Sequence, residues 1–205
     1  MINYLPYLKK IPIDLGQGHF RHTTKAKLIA FGLTGQGKGK RAIDIGCGDG
    51  FWSEKLKKQE WDVVSIDGKD KRYNGAMSVN AEGALPFPDN AFDLVWVCEV
   101  LEHIKNLDAL ITEIERILKP GGLLIATVPN SNFWLFRFFK YFKIHPSQLQ
   151  NLDHKHFFSY KDIQNIFPKS KIRGFFPYYL IKIPIQKGVS ALSPTLIIEM
   201  KVPYK

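Results

Sequence analysis

Short apolar runs alternate with longer amphipathic stretches along this chain, and glycine, proline or polar clusters separate them. Ala42-Ile43-Asp44-Ile45 is such a run. Gly46, Gly48 and Gly50 follow it, and then the mixed stretch Phe51 to Lys58. This order predicts a buried strand, a tight turn and a helix. Further strands are expected at Asp62–Ile66, near Ala76–Val79, at Phe92–Val97 and at Leu123–Val128. Two closing strands are expected at 171–179 and 196–202. Helical spacing predicts helices over 19–33, over Asn106–Leu118 and over Tyr160–Phe167. Lys119-Pro120-Gly121-Gly122 is expected to stop the second of these, and Ser159 to cap the third. Only 12 residues separate Asp67 from Asn80, too few for a full helix plus a strand, so a loop or single turn is expected over 69–74.

One stretch breaks the alternation. Residues 131–144 are almost entirely aromatic or aliphatic, interrupted by Arg137, Lys140 and Lys143 at intervals of three. On a helix these three cations share one side. Such a helix is too apolar to stand alone in water. It reads as a core-packed helix, a lid over a site, a dimer contact or an interfacial membrane helix. Core packing is the plainest of these.

Composition narrows the partners. Lys and Arg number 29 against 19 Asp and Glu, a formal charge of +10. That balance favours anionic partners such as nucleic acid, phospholipid headgroups or phosphorylated substrates, without choosing among them. The two cysteines, Cys47 and Cys98, form no disulfide framework, and no apolar run reaches membrane-spanning length. A reducing, cytoplasmic location and one domain over 1–205 are the expectations, with an N-terminal arm and helix (1–38) and a substrate-side insertion (131–168).

The glycine spacing discriminates between ligand classes. A dinucleotide turn places its third glycine where this chain has Phe51. Asp44 followed by Gly46, Gly48 and Gly50 instead resembles the first motif of the class I S-adenosylmethionine-dependent methyltransferases. The resemblance continues through Asp67, through Leu85 to Asp93, through Glu99-Val100-Leu101-Glu102-His103 and through Leu118 to Gly122. It implies an α/β, Rossmann-like doubly wound sheet of about seven strands, mostly parallel with an antiparallel last strand, and helices on both faces. It also implies S-adenosyl-L-methionine as cofactor, held by Asp44, Gly46, Cys47, Gly48, Asp67, Asn80, Ala81 and Cys98. Asp67, at the tip of the second strand, accepts both ribose hydroxyls in this scheme. Asn80 stands where the family carries Asp, and its side-chain oxygen accepts from the adenine amino group. Arg21 reads as a solvated helix residue rather than a ligand to the cofactor carboxylate.

Asp153-His154-Lys155-His156-Phe157-Phe158-Ser159 resembles a substrate-side segment of small-molecule and glycan methyltransferases. A base for an oxygen or nitrogen acceptor is then sought among His154, His103 and His156, with His154 first. A zinc site at His154 and His156 is rejected, because no other Cys or His lies nearby in sequence. The expected acceptor is a small molecule, a glycan or a lipid-linked compound. RNA or protein is the alternative, and a non-catalytic scaffold is a third reading.

Overall fold

The computed structural model describes residues 25–68, 72–141, 153–177 and 183–204. Expectations for Arg21, for Lys143 and for the N-terminal arm lie outside these residues. The chain runs α1 (Lys25–Thr34), β1 (Arg41–Ile45), α2 (Phe51–Lys58), β2 (Asp62–Asp67), β3 (Ala76–Ser78) and β4 (Phe92–Cys98). A 3-10 turn (Leu101–His103) follows, then α3 (Leu107–Ile117), β5 (Leu118–Pro129), α4 (Trp134–Tyr141) and α5 (Tyr160–Ile166). The last elements are β6 (Lys171–Phe175), β7 (Pro184–Ile185), α6 (Val189–Leu192) and β8 (Thr195–Lys201).

The strands form one sheet in the order β3-β2-β1-β4-β5-β8-β6-β7. Pairing is parallel from β3 to β5, whereas β8 runs antiparallel to both β5 and β6. The expected seven-strand arrangement is present, and the two-residue β7 adds an eighth strand at the edge. Reversal of the strand order between β1 and β4 opens a crevice at the carboxyl edge, where ligands of open α/β sheets bind.

Side-chain alternation assigns the two faces. From β4, Leu94, Trp96 and Cys98 join Trp52 and Leu56 of α2 and Ala26 and Ala30 of α1. Val95 and Val97 join Leu110, Ile114 and Ile117 of α3 and Ile163 of α5 on the other face. A strand buried on both faces must be apolar throughout, which explains why β4 reads as a continuous run rather than an alternation. Trp52 and Trp96 lie with centroids 5.2 Å apart, and Phe31 of α1 meets both rings.

Two boundaries differ from expectation. α3 ends at Ile117, just before Lys119-Pro120-Gly121-Gly122 as expected, but the strand expected from Leu123 already begins at Leu118. Leu118 is already extended and pairs with Phe92, so helix passes directly into β5, and a register irregularity between Phe92 and Leu94 absorbs the change. Among the described residues, β6 ends at Phe175, short of the expected 179. Ser159 caps α5 as expected: its hydroxyl accepts from the Asp162 N–H, and Asp162 accepts from the Ser159 N–H, a closed capping box.

Candidate active site

Gly46, Gly48 and Gly50 all take positive φ, at 74°, 58° and 82°. Two of them are also sterically required. A Cβ on Gly46 would stand 2.4 Å from Val100 Cγ2, and one on Gly50 would enter the Tyr73 ring. The turn is fastened to the end of β2. The N–H groups of Gly46 and Cys47 donate to the Ile66 carbonyl at 2.8 and 3.1 Å. The Gly48 N–H donates to Asp67 Oδ2 at 2.6 Å, and the Gly68 N–H to Oδ1 at 2.7 Å. Asp67 therefore does more than the sequence suggests, because it also organises the turn. An ionised carboxylate offers about four lone-pair positions, so each oxygen keeps one for a ligand hydroxyl.

Asp44 lies beneath the turn and is buried. Its Oδ2 accepts from Ser53 Oγ at 2.6 Å, and the Ser65 hydroxyl donates to Ser53 Oγ at 2.8 Å. This chain of side chains joins β1, α2 and β2. Burial pushes the Asp44 carboxyl up to about 6 against the lowering effect of the Ser53 hydrogen bond. Asp44 thus acts on the cofactor turn from below, through the helix it holds. Burial also pushes the Cys47 thiol up to about 12 and the Cys98 thiol higher still, so neither is a thiolate nucleophile near neutral pH.

Asn80 and Ala81 follow β3 at the same edge of the sheet. The Asn80 side-chain oxygen already accepts from the Glu82 N–H at 3.0 Å, and Glu82 in turn accepts from the Lys105 N–H at 3.0 Å. The turn expected to meet adenine is thereby pinned to the segment after β4.

That segment carries the unusual chemistry. Glu99 is a non-glycine residue at φ 61°, at the carboxyl end of β4, where sparsely populated backbone marks functional sites. Its N–H donates to the Thr127 carbonyl at 2.9 Å, and its carboxylate accepts from the Thr127 hydroxyl at 3.0 Å. Three residues later Glu102 is 1% exposed, and neither of its carboxylate oxygens has a hydrogen-bond partner. Burial holds its carboxyl well above the ordinary range, the Glu99 charge raises it further, and the Lys27 ammonium offsets part of this.

The 153–159 segment docks on this turn through its backbone. The N–H groups of Lys155 and His156 both donate to the Glu102 carbonyl, at 2.7 and 3.1 Å. His156 turns away to bond the Ile104 carbonyl through Nε2 at 2.8 Å. His154 instead stands 4.0 Å from Glu102 Oε1 and 4.8 Å, centroid to centroid, from the His103 ring. The structure thus unites His154 and His103, two of the three histidines named as candidate bases, leaves His156 apart, and adds Glu102, which was not among the candidates. It also corrects the premise that no other Cys or His lies near His154. His103 does, brought there by tertiary pairing.

The aromatic stretch is half packed. Phe133 and Phe136 are buried with their rings in edge contact. Trp134, Phe138 and Tyr141 are 38%, 54% and 85% exposed, and Arg137 is exposed beside them. Core packing therefore accounts for one side of α4 only.

Residues 18–174 match the model of a methyltransferase-domain family, which is more than half of the chain. The chain belongs to that family: it is a class I S-adenosylmethionine-dependent methyltransferase domain. A ubiquinone biosynthesis O-methyltransferase of Sinorhizobium fredii is 34% identical over 105 residues, 44% of this chain and 42% of that protein. A demethylmenaquinone methyltransferase of Geobacillus kaustophilus is 31% identical over 105 residues, 43% of this chain and 45% of that protein. The chain thus spans less than half the length of these curated relatives. A solved methyltransferase of Thermotoga maritima, described as a possible histamine N-methyltransferase, superposes with a TM-score of 0.62 at 20% identity, covering 79% of this chain and 82% of that one. One from Mesorhizobium loti gives 0.63 at 13% identity, covering 86% and 97%. These structural likenesses bear on the fold alone. Among the described residues no helix is long and apolar enough to cross a membrane.

Proposed function

We propose that this protein methylates an oxygen of a small molecule of the quinone-precursor class, using S-adenosyl-L-methionine. The glycine turn and the strand-tip carboxylate Asp67 fit that cofactor: the turn leaves no room for a Cβ at Gly46 or Gly50, and Asp67 retains acceptor positions for a diol. When bound, the cofactor supplies a methyl already activated on a sulfonium. The protein's task is then alignment, exclusion of water and removal of the acceptor's proton. The observation that carries the oxygen-acceptor reading is the His103–His154 pair beside buried Glu102, just beyond β4. His154 takes the acceptor's proton, with the Glu102 carboxyl 4.0 Å from its Nε2.

The exposed residues Trp134, Phe138 and Tyr141 follow one another at intervals of four and three, so they share a side of α4 next to Arg137. That side suits the boundary between headgroups and acyl chains, which favours an acceptor with a lipid tail and peripheral membrane contact. The test is transfer of labelled methyl to a panel of polyprenylated and tail-less hydroxylated aromatics, bulk RNA and protein. Labelling of a hydroxylated aromatic is expected. Replacing His154 by Ala should lower turnover by about 10²–10⁴-fold with cofactor affinity retained. Preferential labelling of RNA or protein would overturn the small-molecule reading.

A further inference from the structure

We propose that Glu102, His103 and His154 form a binding site for one divalent transition-metal ion. Each offers one donor atom, and the three donors lie within 4.8 Å of one another. Around a tetrahedral ion with bonds of about 2.1 Å, neighbouring donors stand about 3.4 Å apart. Binding an ion would draw the donors together by up to about 1.4 Å, a movement for the side chains, because two N–H bonds to the Glu102 carbonyl hold the backbone.

The independent sign of a ligand is Glu102 itself. A carboxyl group that is 1% exposed, with neither oxygen hydrogen-bonded and His154 Nε2 no nearer than 4.0 Å, is not a stable arrangement by itself. Protonation removes the charge but leaves the O–H and the carbonyl still without partners. A cation between Glu102 and the two imidazoles satisfies the oxygens and the charge together. Glu99 lies close enough to act on Glu102 electrostatically, which adds negative potential at the same place. One carboxylate oxygen and two imidazole nitrogens suit zinc, cobalt, manganese or iron(II), whereas magnesium and calcium prefer oxygen throughout.

Three protein ligands leave coordination positions open, and what the ion does there rests on the methyl-transfer reading. A metal-held acceptor hydroxyl loses its proton to water at a lower pH. The new O–C bond then forms as the S–C bond breaks, with its electron pair remaining on sulfur. His154 in that case serves as ligand rather than base.

The test does not depend on turnover. Chelator-treated full-length protein is titrated with cobalt(II), followed by visible absorption and by calorimetry, and S-adenosylhomocysteine affinity is measured in parallel. One equivalent is expected to bind with a ligand-field band characteristic of fewer than six donors. E102Q and H154A should each weaken cobalt binding at least tenfold while S-adenosylhomocysteine affinity stays unchanged. H103A is the third variant, in case one of the others fails to fold. Absence of saturable binding by the wild type, or equal binding by the folded variants, would overturn the proposal. Metal binding without methyl transfer would count against the proposed reaction and leave the site standing.

Discussion

Asp67 gives the sharpest test of the cofactor site, because its two oxygens have countable duties. Oδ2 accepts from the Gly48 N–H and Oδ1 from the Gly68 N–H, at 2.6 and 2.7 Å. Two further lone pairs are available to ribose hydroxyls. Hydrogen bonds to a charged group contribute about 1.5–3 kcal/mol each, so losing even one at the lower bound costs about tenfold in affinity. Losing both, with the turn loosened as well, reaches about 10²–10⁴-fold. Asp67→Ala should therefore bind S-adenosylmethionine at least tenfold more weakly in calorimetric titration. Asp67→Asn is not a mild change, because its amide must face the N–H of either Gly48 or Gly68, donor against donor. The two duties separate in a cycle with a 2′-deoxy analogue of S-adenosylhomocysteine. Deoxygenation should weaken binding to the wild type and leave binding to Asp67→Ala nearly unaffected. A folded Asp67→Ala protein with undiminished cofactor affinity, or an analogue penalty equal in both proteins, refutes the ribose assignment.

Gly46→Ala combines a left-handed backbone with a Cβ 2.4 Å from Val100, and the backbone strain alone is about 1–2 kcal/mol. Its urea midpoint should fall, and adding Val100→Ala should recover the steric part but not the strain. Asp44 has its carboxyl raised from 3.8 to about 6 by burial, so the folded state holds a proton that the unfolded chain has released. Stability from this group therefore falls as pH rises from about 4 to 6, by about 3 kcal/mol, and stays lost above that. Asp44→Asn should be more stable than wild type in urea at pH 7.5, with the gap closing by pH 4. A gap that is the same at both pH values removes Asp44 from the account. For α4, the wild type should sediment with anionic liposomes at low salt, and Trp134→Ser with Phe138→Ser should release it. Equal sedimentation of the two proteins would end the membrane reading.

Local signals in the sequence carried most of the sheet and the cofactor turn. The glycines of the turn, the acid at the tip of β2, the helix over Asn106–Leu118 and the Ser159 cap each arise from neighbours along the chain, and each appears as expected to within a residue. Misjudged features were set by distant partners. The start of β5 is expected at Leu123, yet pairing of Leu118 with Phe92 draws the chain into the strand as soon as α3 ends. The composition of the aromatic stretch did not reveal which residues face inward, because nearly every position is apolar. Contact with the rest of the fold decides that Phe133 and Phe136 are buried and Trp134 and Phe138 are not.

The Glu102 cluster shows the same limit at the site itself. Glu102 belongs to a stretch that carries the family resemblance, but nothing local shows that its carboxyl is buried or links it to His154. The link is made by its own backbone carbonyl, which accepts two N–H bonds from Lys155 and His156. Those bonds fix the substrate-side segment to the turn beyond β4, with its two histidines on different partners. His156 goes to the Ile104 carbonyl, and His154 goes to the Glu102 carboxylate. A carbonyl that anchors the segment and a carboxylate that faces its histidine thus belong to one residue. Folding cannot dock 153–159 without also completing the cluster. Any disturbance of that docking should therefore move acceptor chemistry and leave the glycine turn, which is anchored separately on Ile66 and Asp67, able to hold the cofactor.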